Sequence, residues 1–216
     1  MCRRRYVPIA KKRGALVLQN VIFLPGATGV PEFWHGVGGR LPSNWNKSYL
    51  GWPGLGNQPH DPKVNGFADL VALSEGAING PTALVAQSMG GVVAIRLALK
   101  HPELIKHMVL TATSGGLDTV ALGAADWRQG YLKNFPASAR WIVDSRPDHT
   151  AEIPTIRVPT LLIWGDSDPI SPLAVGHRLK ELLPNSRLAV IPGGTHSLAV
   201  DHAEEVALLI QEHLKF

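Results

Sequence analysis

The sequence predicts an α/β fold in which helices flank a mostly parallel central sheet. Short apolar runs rich in β-branched residues alternate with longer segments of helical periodicity, which is typical of strands joined by helices. Each run is apolar almost throughout, as expected for strands covered on both faces. The 216 residues, of which 45% are hydrophobic and 18% charged, are sufficient for one domain with a substantial buried core.

Five apolar runs are predicted as strands, and a sixth run gives a weaker signal. The five are residues 21–24, 82–86, 108–111, 161–164 and 188–191, and the weaker one is residues 48–51. The predicted helices are residues 67–78, 91–100, 173–183 and 204–214. The helix at 91–100 is apolar almost all round, so we expect it to be well buried, and Pro102 prevents it from continuing.

Residues 117–157 interrupt this alternation of strands and helices. The segment contains Trp127, Tyr131, Phe135 and Trp141 and is punctuated by prolines. We expect two short helices here, forming a small helical lid inserted between strands rather than a separate domain. Residues 20–216 are therefore predicted to form a single domain, preceded by a basic extension at residues 1–19 that could include a short strand.

The net charge of +4 is unevenly distributed along the chain. Residues 1–13 contain six of the 21 basic residues and no acidic residue, so the basic residues elsewhere are fewer than the 17 acidic ones. A short basic arm can contact nucleic acid or anionic lipid. A solvated, mobile extension is the simpler interpretation, and no nucleic-acid partner is expected.

The apolar pattern and the cysteine content favour a cytoplasmic location. No apolar run approaches the roughly 20 residues that span a bilayer, so no membrane span is expected. A secretory signal is the alternative interpretation of the basic start, but Gln19 and Asn20 interrupt the apolar stretch that follows it. The one cysteine, Cys2, cannot form an internal disulfide bond, which fits a reducing compartment.

Residues 86–91, Ala-Gln-Ser-Met-Gly-Gly, mark a turn from a strand directly into a helix. A serine on such a tight turn presents its hydroxyl at the carboxyl end of the strand. The small residues Ala86 and Gly90 allow strand and helix to pack closely, and the helix N-terminus favours a developing oxyanion. Ser88 is therefore a candidate nucleophile, with a phosphate-binding turn as the alternative.

A serine nucleophile needs a base and a residue that orients the base. Among nine histidines, His196 is the candidate base because it follows the apolar run 188–191 and a glycine turn, which brings it to the same sheet edge as the serine. Asp166 and Asp168 both follow the run 161–164 and are candidates for the acid. Asp166 could instead hydrogen-bond within its own loop, a common role of aspartate in turns.

An oxyanion hole for such a site requires two backbone N–H donors, one of them from the residue after the nucleophile. That residue is Met89. The loop 25–29, Pro-Gly-Ala-Thr-Gly, follows the first predicted strand, and Ala27 is its candidate donor. A plain turn is the alternative, and it is less attractive once Ser88 is accepted because both loops then meet at the same sheet edge.

Five segments together resemble the α/β-hydrolase superfamily, and the similarity extends from about residue 21 to the C-terminus. They are residues 24–26 for the oxyanion loop, 51–57 for the glycine-rich loop, 87–91 for the nucleophile turn, 165–168 for the acid loop and 194–196 for the histidine loop. The resemblance implies a triad of Ser88, Asp168 and His196, in the chain order nucleophile, acid, base. It thereby selects the second of the two aspartates. Pro25 and Ala86 stand where the family more often has histidine and glycine.

The nearest resemblance within the superfamily is to small serine carboxylesterases and to methyl-ester and carbon–carbon bond hydrolases. It implies hydrolysis of a small or medium-sized carboxylic ester through an acyl-enzyme, with no cofactor and no metal. A hydroxynitrile-lyase-like or carbon–carbon bond-cleaving reaction and a non-enzymatic ligand receptor are the alternatives on the same fold. Trp127, Tyr131 and Trp141 are candidates for an apolar substrate-binding wall, and packing of the lid onto the core is the equal alternative for them.

Overall fold

Within residues 20–215, the part of the chain that this computed structural model describes, six strands form one sheet. The strands are β1 (Asn20–Leu24), β2 (Asn46–Tyr49), β3 (Thr82–Gln87), β4 (Ile105–Thr111), β5 (Thr160–Gly165) and β6 (Ser186–Ile191). Their order is β2-β1-β3-β4-β5-β6, and every neighbouring pair is parallel, which confirms the predicted α/β class. The predicted basic extension at residues 1–19 lies outside the described residues.

The strand register brings the functional loops to one edge of the sheet. Leu24 of β1 is level with Ala86 of β3, and Gln87 of β3 is level with Thr111 of β4. Gly165 at the end of β5 pairs in the same way with the end of β6. Because all strands run in the same direction, the loops that follow β1, β3, β4, β5 and β6 emerge together at this carboxyl edge, where open α/β sheets bind ligands.

Helices cover both faces of the sheet. In the described residues they are α1 (His35–Gly38), α2 (Phe67–Glu75), α3 (Met89–Lys100), α4 (Arg128–Asn134), α5 (Trp141–Asp144), α6 (Leu173–Leu182), α7 (Leu198–Asp201) and α8 (Ala203–His213). One buried cluster joins α2, α3 and α6 to one face of the sheet, and a second joins α1, α7 and α8 to the other. Successive residues of β3 alternate between the clusters, with Leu84 in the first and Val85 in the second.

Helix α3 is buried almost all round, as its sequence predicts. Val93, Ile95 and Leu97 are fully buried, and Arg96 is exposed. The helix begins at Met89, two residues before the predicted start, because Ser88 alone forms the turn between the end of β3 and the helix. This position places the first turn of α3 at the carboxyl edge of the sheet.

The expectation that all predicted strands are covered on both faces is wrong for β6. Its residues are mostly half-buried or exposed, and Val190 is 40% exposed. The physical reason is its position at the end of the six described strands, where residues 20–215 supply no neighbouring strand on one flank and the helices leave its faces partly exposed. An apolar run therefore did not distinguish an edge strand from an inner one.

Residues 117–157, which we call the insertion, connect β4 to β5. They contain α4 and α5, with short 3-10 turns at Val120–Leu122 and Ile153–Thr155. The insertion packs through Tyr131, Ile142 and Val143 on the cluster that includes α3. Within residues 20–215, none of the helices combines the length and the apolar composition needed to cross a membrane.

Candidate active site

Ser88 lies between β3 and α3 in a strained backbone conformation. Its φ is 51° and its ψ is −121°, a combination that L residues rarely adopt. Its N–H donates a hydrogen bond to the Thr111 carbonyl at 3.0 Å, and its own carbonyl accepts one from the Thr113 hydroxyl at 2.5 Å. Both partners lie at the end of β4 or just beyond it, so the neighbouring strand holds the strained turn in place.

Gly90 and Gly91 allow the first turn of α3 to approach neighbouring segments closely. A Cβ on Gly90 would lie 2.5 Å from the carbonyl oxygens of Leu24 and Pro25, which is too close for any side chain. A Cβ on Gly91 would lie 2.6 Å from the Cβ of Thr113. Glycine at these two positions therefore brings the start of α3 against the end of β1 and the residues after β4.

The structure brings Ser88, His196 and Asp168 into one chain of hydrogen bonds. The Nε2 atom of His196 lies 3.1 Å from the Oγ atom of Ser88. The Nδ1 atom of the same ring lies 2.8 Å from the Oδ2 atom of Asp168. With Nδ1 protonated toward the carboxylate, Nε2 faces the serine hydroxyl as an acceptor, which is the arrangement that a general base requires.

The Asp168 carboxylate is fully buried and fully hydrogen-bonded. Its Oδ1 atom accepts hydrogen bonds from the N–H groups of Ile170 at 2.8 Å and Ser171 at 3.1 Å. Its Oδ2 atom is left to face His196, whose side chain is 23% exposed. Burial of a carboxylate costs free energy unless its oxygens accept hydrogen bonds. These contacts therefore hold the carboxylate in the orientation in which Oδ2 faces His196.

Asp166, the other candidate acid, lies in the same loop but has different partners. Its Oδ1 atom accepts a hydrogen bond from the Gly193 N–H at 2.7 Å and from the Ser167 hydroxyl at 3.0 Å. The Ser167 N–H also donates to the Gly194 carbonyl at 3.0 Å. Asp166 therefore joins the acid loop to the loop that carries His196.

Gln87 belongs to the site but is not among the residues predicted from the sequence. Its side chain is buried, and its Nε2 atom donates a hydrogen bond to the His196 carbonyl at 3.2 Å. Its amide oxygen occupies the place that a side chain on Gly26 would need. Gln87 thus lies between the loop that carries His196 and the loop that follows β1. A polar residue at the end of a buried, mostly apolar strand was the available signal.

Two indole groups anchor the start of the loop at residues 25–29, which is predicted to be the oxyanion loop. The Nε1 atom of Trp34 donates to the Leu24 carbonyl at 3.0 Å, and the Nε1 atom of Trp52 donates to the Pro25 carbonyl at 2.8 Å. Both tryptophans are fully buried. The end of β1 and the first residue of the loop are therefore held by rigid buried side chains.

The next two carbonyls of the loop are also hydrogen-bonded. The Gly29 N–H donates to the Gly26 carbonyl at 3.0 Å, and the Tyr131 hydroxyl donates to the Ala27 carbonyl at 2.7 Å. Met89 lies at the first position of α3, where N–H groups have no acceptor within the helix. The loop after β1 and the start of α3 therefore meet beside Ser88, where Ala27 and Met89 are expected to donate.

A cavity of about 600 Å³ lies next to Ser88 and His196. Its buried lining residues are mostly apolar and include Met89, Leu117 and Ile142, with Ser171 as a buried polar residue among them. The insertion supplies much of the remaining lining. A cavity of this volume is within the usual range for small-molecule sites.

Of the three aromatic residues predicted to line an apolar wall, Trp127 lies in the cavity lining. Tyr131 and Trp141 do not lie there, which corrects the prediction for these two residues. Tyr131 is buried beneath the edge-on Trp127 ring, with its hydroxyl directed to the oxyanion loop. Trp141, in α5, packs against the core. The residue of α5 that lines the cavity is its neighbour Ile142.

Several charged side chains lie in the outer part of the cavity lining. They are Asp118, Asp126, Arg128, Arg146 and Asp148. The backbone N–H of Arg128, and after it the guanidinium, lower the pKa of Asp126. Hydrogen bonds from Thr150 lower the pKa of Asp148. Both carboxylates are therefore ionised at neutral pH, and the cavity combines an apolar interior with an outer part of mixed charge. In residues 20–215, no group of three or more histidine, cysteine, aspartate or glutamate side chains is arranged to hold a metal ion.

The sequence matches the alpha/beta hydrolase fold family over residues 19–151 and 148–203, which together are most of the chain. The chain belongs to this family. The hydrolase from Pseudomonas aeruginosa has the same fold, with a TM-score of 0.76 at 19% identity, covering 94% of this chain and 92% of that one.

Two curated relatives match along most of their length. A pimeloyl-[acyl-carrier protein] methyl ester esterase of Neisseria meningitidis is 28% identical and covers 82% of this chain and 86% of its own. A 2-hydroxy-6-oxononadienedioate/2-hydroxy-6-oxononatrienedioate hydrolase of Burkholderia vietnamiensis is 25% identical and covers 88% of this chain and 84% of its own. The first relative is named as an esterase and the second as a hydrolase.

Proposed function

We propose that this protein is a serine hydrolase that cleaves a carboxylic ester of small or medium size. The observation that carries the proposal is the hydrogen-bond chain from Asp168 through His196 to Ser88, with distances of 2.8 and 3.1 Å, beside a cavity of about 600 Å³. The methyl ester esterase of Neisseria meningitidis, similar along most of this chain, supports an ester as the substrate.

In the proposed mechanism, the Ser88 hydroxyl attacks the ester carbonyl carbon while Nε2 of His196 accepts the hydroxyl proton. Asp168 holds the ring in the required tautomer and stabilises its protonated form. Collapse of the tetrahedral intermediate breaks the bond to the alcohol, which leaves with the proton from His196. Water then gives its proton to His196 and attacks the acyl-enzyme, releasing the carboxylic acid and restoring Ser88.

The tetrahedral intermediate carries a negative oxygen that needs donors in a fixed position. In this proposal the N–H groups of Ala27 and Met89 supply them, and the N-terminal end of α3 adds favourable electrostatic potential. The four carbonyls of residues 24–27 are already engaged by other donors. The Ala27 N–H is therefore held in place before substrate arrives, which is the condition for large transition-state stabilisation.

The lining of the cavity supports an acyl group of moderate size. Its buried part is mostly apolar, and Trp127 adds an aromatic surface at the insertion. We propose that Trp127 contacts the substrate. A charged outer part could accept a polar end of the alcohol or acyl group, so substrate length decides which portion of the cavity is filled.

Carbon–carbon bond hydrolysis is the second candidate, and the relative from Burkholderia vietnamiensis favours it. The same serine and histidine would then assist attack on a ketone rather than an ester. Turnover of a 2-hydroxy-6-oxodienoate in the absence of ester turnover would support this reaction.

The test of the proposed function is turnover of p-nitrophenyl esters from acetate to long acyl chains. We expect wild-type protein to hydrolyse the short and medium chains and Ser88→Ala to lose the activity. Ser43→Ala removes an exposed serine that does not line the cavity, and it serves as the matched control. No turnover of any ester by folded wild-type protein would contradict the proposal.

A further inference from the structure

We propose that Tyr131 is a positioning residue for the oxyanion hole and acts through the carbonyl of Ala27. Its hydroxyl donates to this carbonyl at 2.7 Å across 104 positions of sequence. The inference rests on the proposed function, because Ala27 matters in this way only if its N–H stabilises an oxyanion. It gives the insertion a part in the chemistry besides its contribution to the cavity wall.

The partners of the Tyr131 hydroxyl determine which group donates and which accepts in each of its hydrogen bonds. A carbonyl oxygen cannot donate, so the single proton of Tyr131 goes to Ala27. The two lone pairs are then available to the Gly56 N–H at 2.7 Å and to the Ser138 hydroxyl at 2.8 Å. The Gly54 carbonyl, 3.3 Å from the same Ser138 oxygen, is the weaker alternative and already accepts the Ala139 N–H at 2.7 Å. The hydroxyl is therefore fully used, and its donor role is fixed.

This arrangement constrains both peptide groups that flank Ala27. The peptide that carries the Ala27 N–H has the Gly26 carbonyl as its other end, and this carbonyl is bound by Gly29. The following peptide carries the Ala27 carbonyl, which is bound by Tyr131. Rotation of the first peptide would turn the Ala27 N–H directly, and rotation of the second would shift the Ala27 Cα to which that N–H is joined. Loss of the Tyr131 hydroxyl would free one of these two constraints.

The position of Tyr131 also links the oxyanion loop to the substrate cavity. Tyr131 is 7% exposed, and its ring lies perpendicular to that of Trp127, with 5.6 Å between ring centroids. Trp127 itself lines the cavity. A ligand that contacts Trp127 would therefore contact the side chain that packs against Tyr131, so the fit of the substrate and the placement of the donor are joined through this pair of rings.

The test compares wild type with Tyr131→Phe, which keeps the ring and removes the hydroxyl. We expect kcat for the preferred p-nitrophenyl ester to fall roughly 10- to 100-fold, because displaced catalytic groups cost rates of this order. We expect KM to change little. The rate at which a fluorophosphonate labels Ser88 should fall in parallel, since that reaction also places negative charge on an oxygen. Tyr49→Phe, the same change in β2, should keep the wild-type values.

Three results separate the possible explanations. Wild-type kcat and labelling rate in a folded Tyr131→Phe protein would overturn the inference. An equal loss in Ser138→Ala, which leaves the contact to Ala27 intact, would also overturn it and indicate general loosening of the cluster. Wild-type protein that labels but turns over no ester would contradict the proposed function alone, and the labelling ratio would still decide the role of Tyr131.

A second variant keeps the test valid if Tyr131→Phe does not fold. Incorporation of 3,5-difluorotyrosine at position 131 keeps the hydroxyl and lets it ionise at lower pH than tyrosine. The ionised form cannot donate to Ala27, so the ratio of the variant's kcat to the wild-type kcat should fall as the pH rises. An unchanged pH profile would count against a donor role.

Discussion

The hydroxyl of Thr113 donates a 2.5 Å hydrogen bond to the carbonyl of Ser88, and the Thr113 hydroxyl oxygen itself accepts a hydrogen bond from the Gly115 N–H at 3.0 Å. The contact holds a backbone with φ of 51°, whose strain of roughly 1–3 kcal/mol must be offset by its surroundings. Gly91 leaves the space that Thr113 needs. The nucleophile turn is thus stabilised by a residue of the neighbouring loop, as well as by its own sequence.

Replacement of Thr113 by valine keeps the shape and removes this hydrogen bond. We expect the free energy of unfolding to fall by about 1–3 kcal/mol, because the buried Gly115 N–H also loses its acceptor. We expect kcat to fall by about tenfold as Ser88 moves from its position. Urea unfolding and ester kinetics measure the two effects. Thr113→Ser keeps the hydroxyl, and a loss as large as that of valine would show that the methyl group, rather than the hydrogen bond, is important.

The sequence predicted the parts of the site that depend on the order of strands. Ser88, Asp168 and His196 each follow an apolar strand, and parallel strands bring such positions to one edge. The partners of the loop carbonyls could not be predicted in this way. The contact between Tyr131 and Ala27 depends on how α4 packs against the loop after β1, and no local pattern encodes that packing. Similarly, the apolar run of β6 did not reveal an edge strand, because exposure there depends on what the helices leave uncovered.

The two aspartates of the acid loop should differ sharply in their effect on activity. Asp168→Asn removes the charge that stabilises protonated His196 and allows the wrong tautomer, so we expect kcat to fall on the order of 10⁴-fold. Asp166→Asn keeps an acceptor for the Gly193 N–H, and we expect less than about a tenfold loss. The measurement is kcat on one p-nitrophenyl ester for both variants. Similar losses in both would contradict the assignment of Asp168 as the acid.

Gly90 and Gly130 should respond in opposite directions to alanine. A Cβ at Gly90 would collide with two backbone carbonyls of the β1 end, which cannot move aside without disturbing the oxyanion loop. We expect Gly90→Ala to destabilise the protein by about 1–3 kcal/mol or more and to abolish most activity. Gly130 lies within α4 with no atom in reach of a Cβ, and alanine there should stabilise by up to about 1 kcal/mol. Thermal unfolding of both variants tests the pair, and a neutral Gly90→Ala would contradict the close contact described above.

His213 at the end of α8 should make the stability of the fold depend on pH. Burial, followed by the nearby His107 and Arg187, lowers the pKa of His213 from its ordinary 6.5 to about 4. The unfolded chain therefore binds a proton between about pH 6.5 and 4 that the folded protein does not bind. In this window the free energy of unfolding rises with pH, so the protein loses stability as the pH falls. Allowing for partial exposure of the ring, we expect a loss on the order of 2 kcal/mol between pH 7 and pH 4 from this residue.

His213→Gln removes the titration and tests this expectation. Urea unfolding at a series of pH values between 4 and 7 should show a flatter pH dependence for this variant than for wild type. His177→Gln changes an exposed histidine of α6 and should leave the slope unchanged. The rings of His107 and His213 lie 5.2 Å apart and nearly perpendicular, so His107, whose pKa burial also lowers, should contribute in the same direction. A slope identical in wild type and His213→Gln would place the acid sensitivity elsewhere in the fold, because the removed group would then bind protons equally in both states.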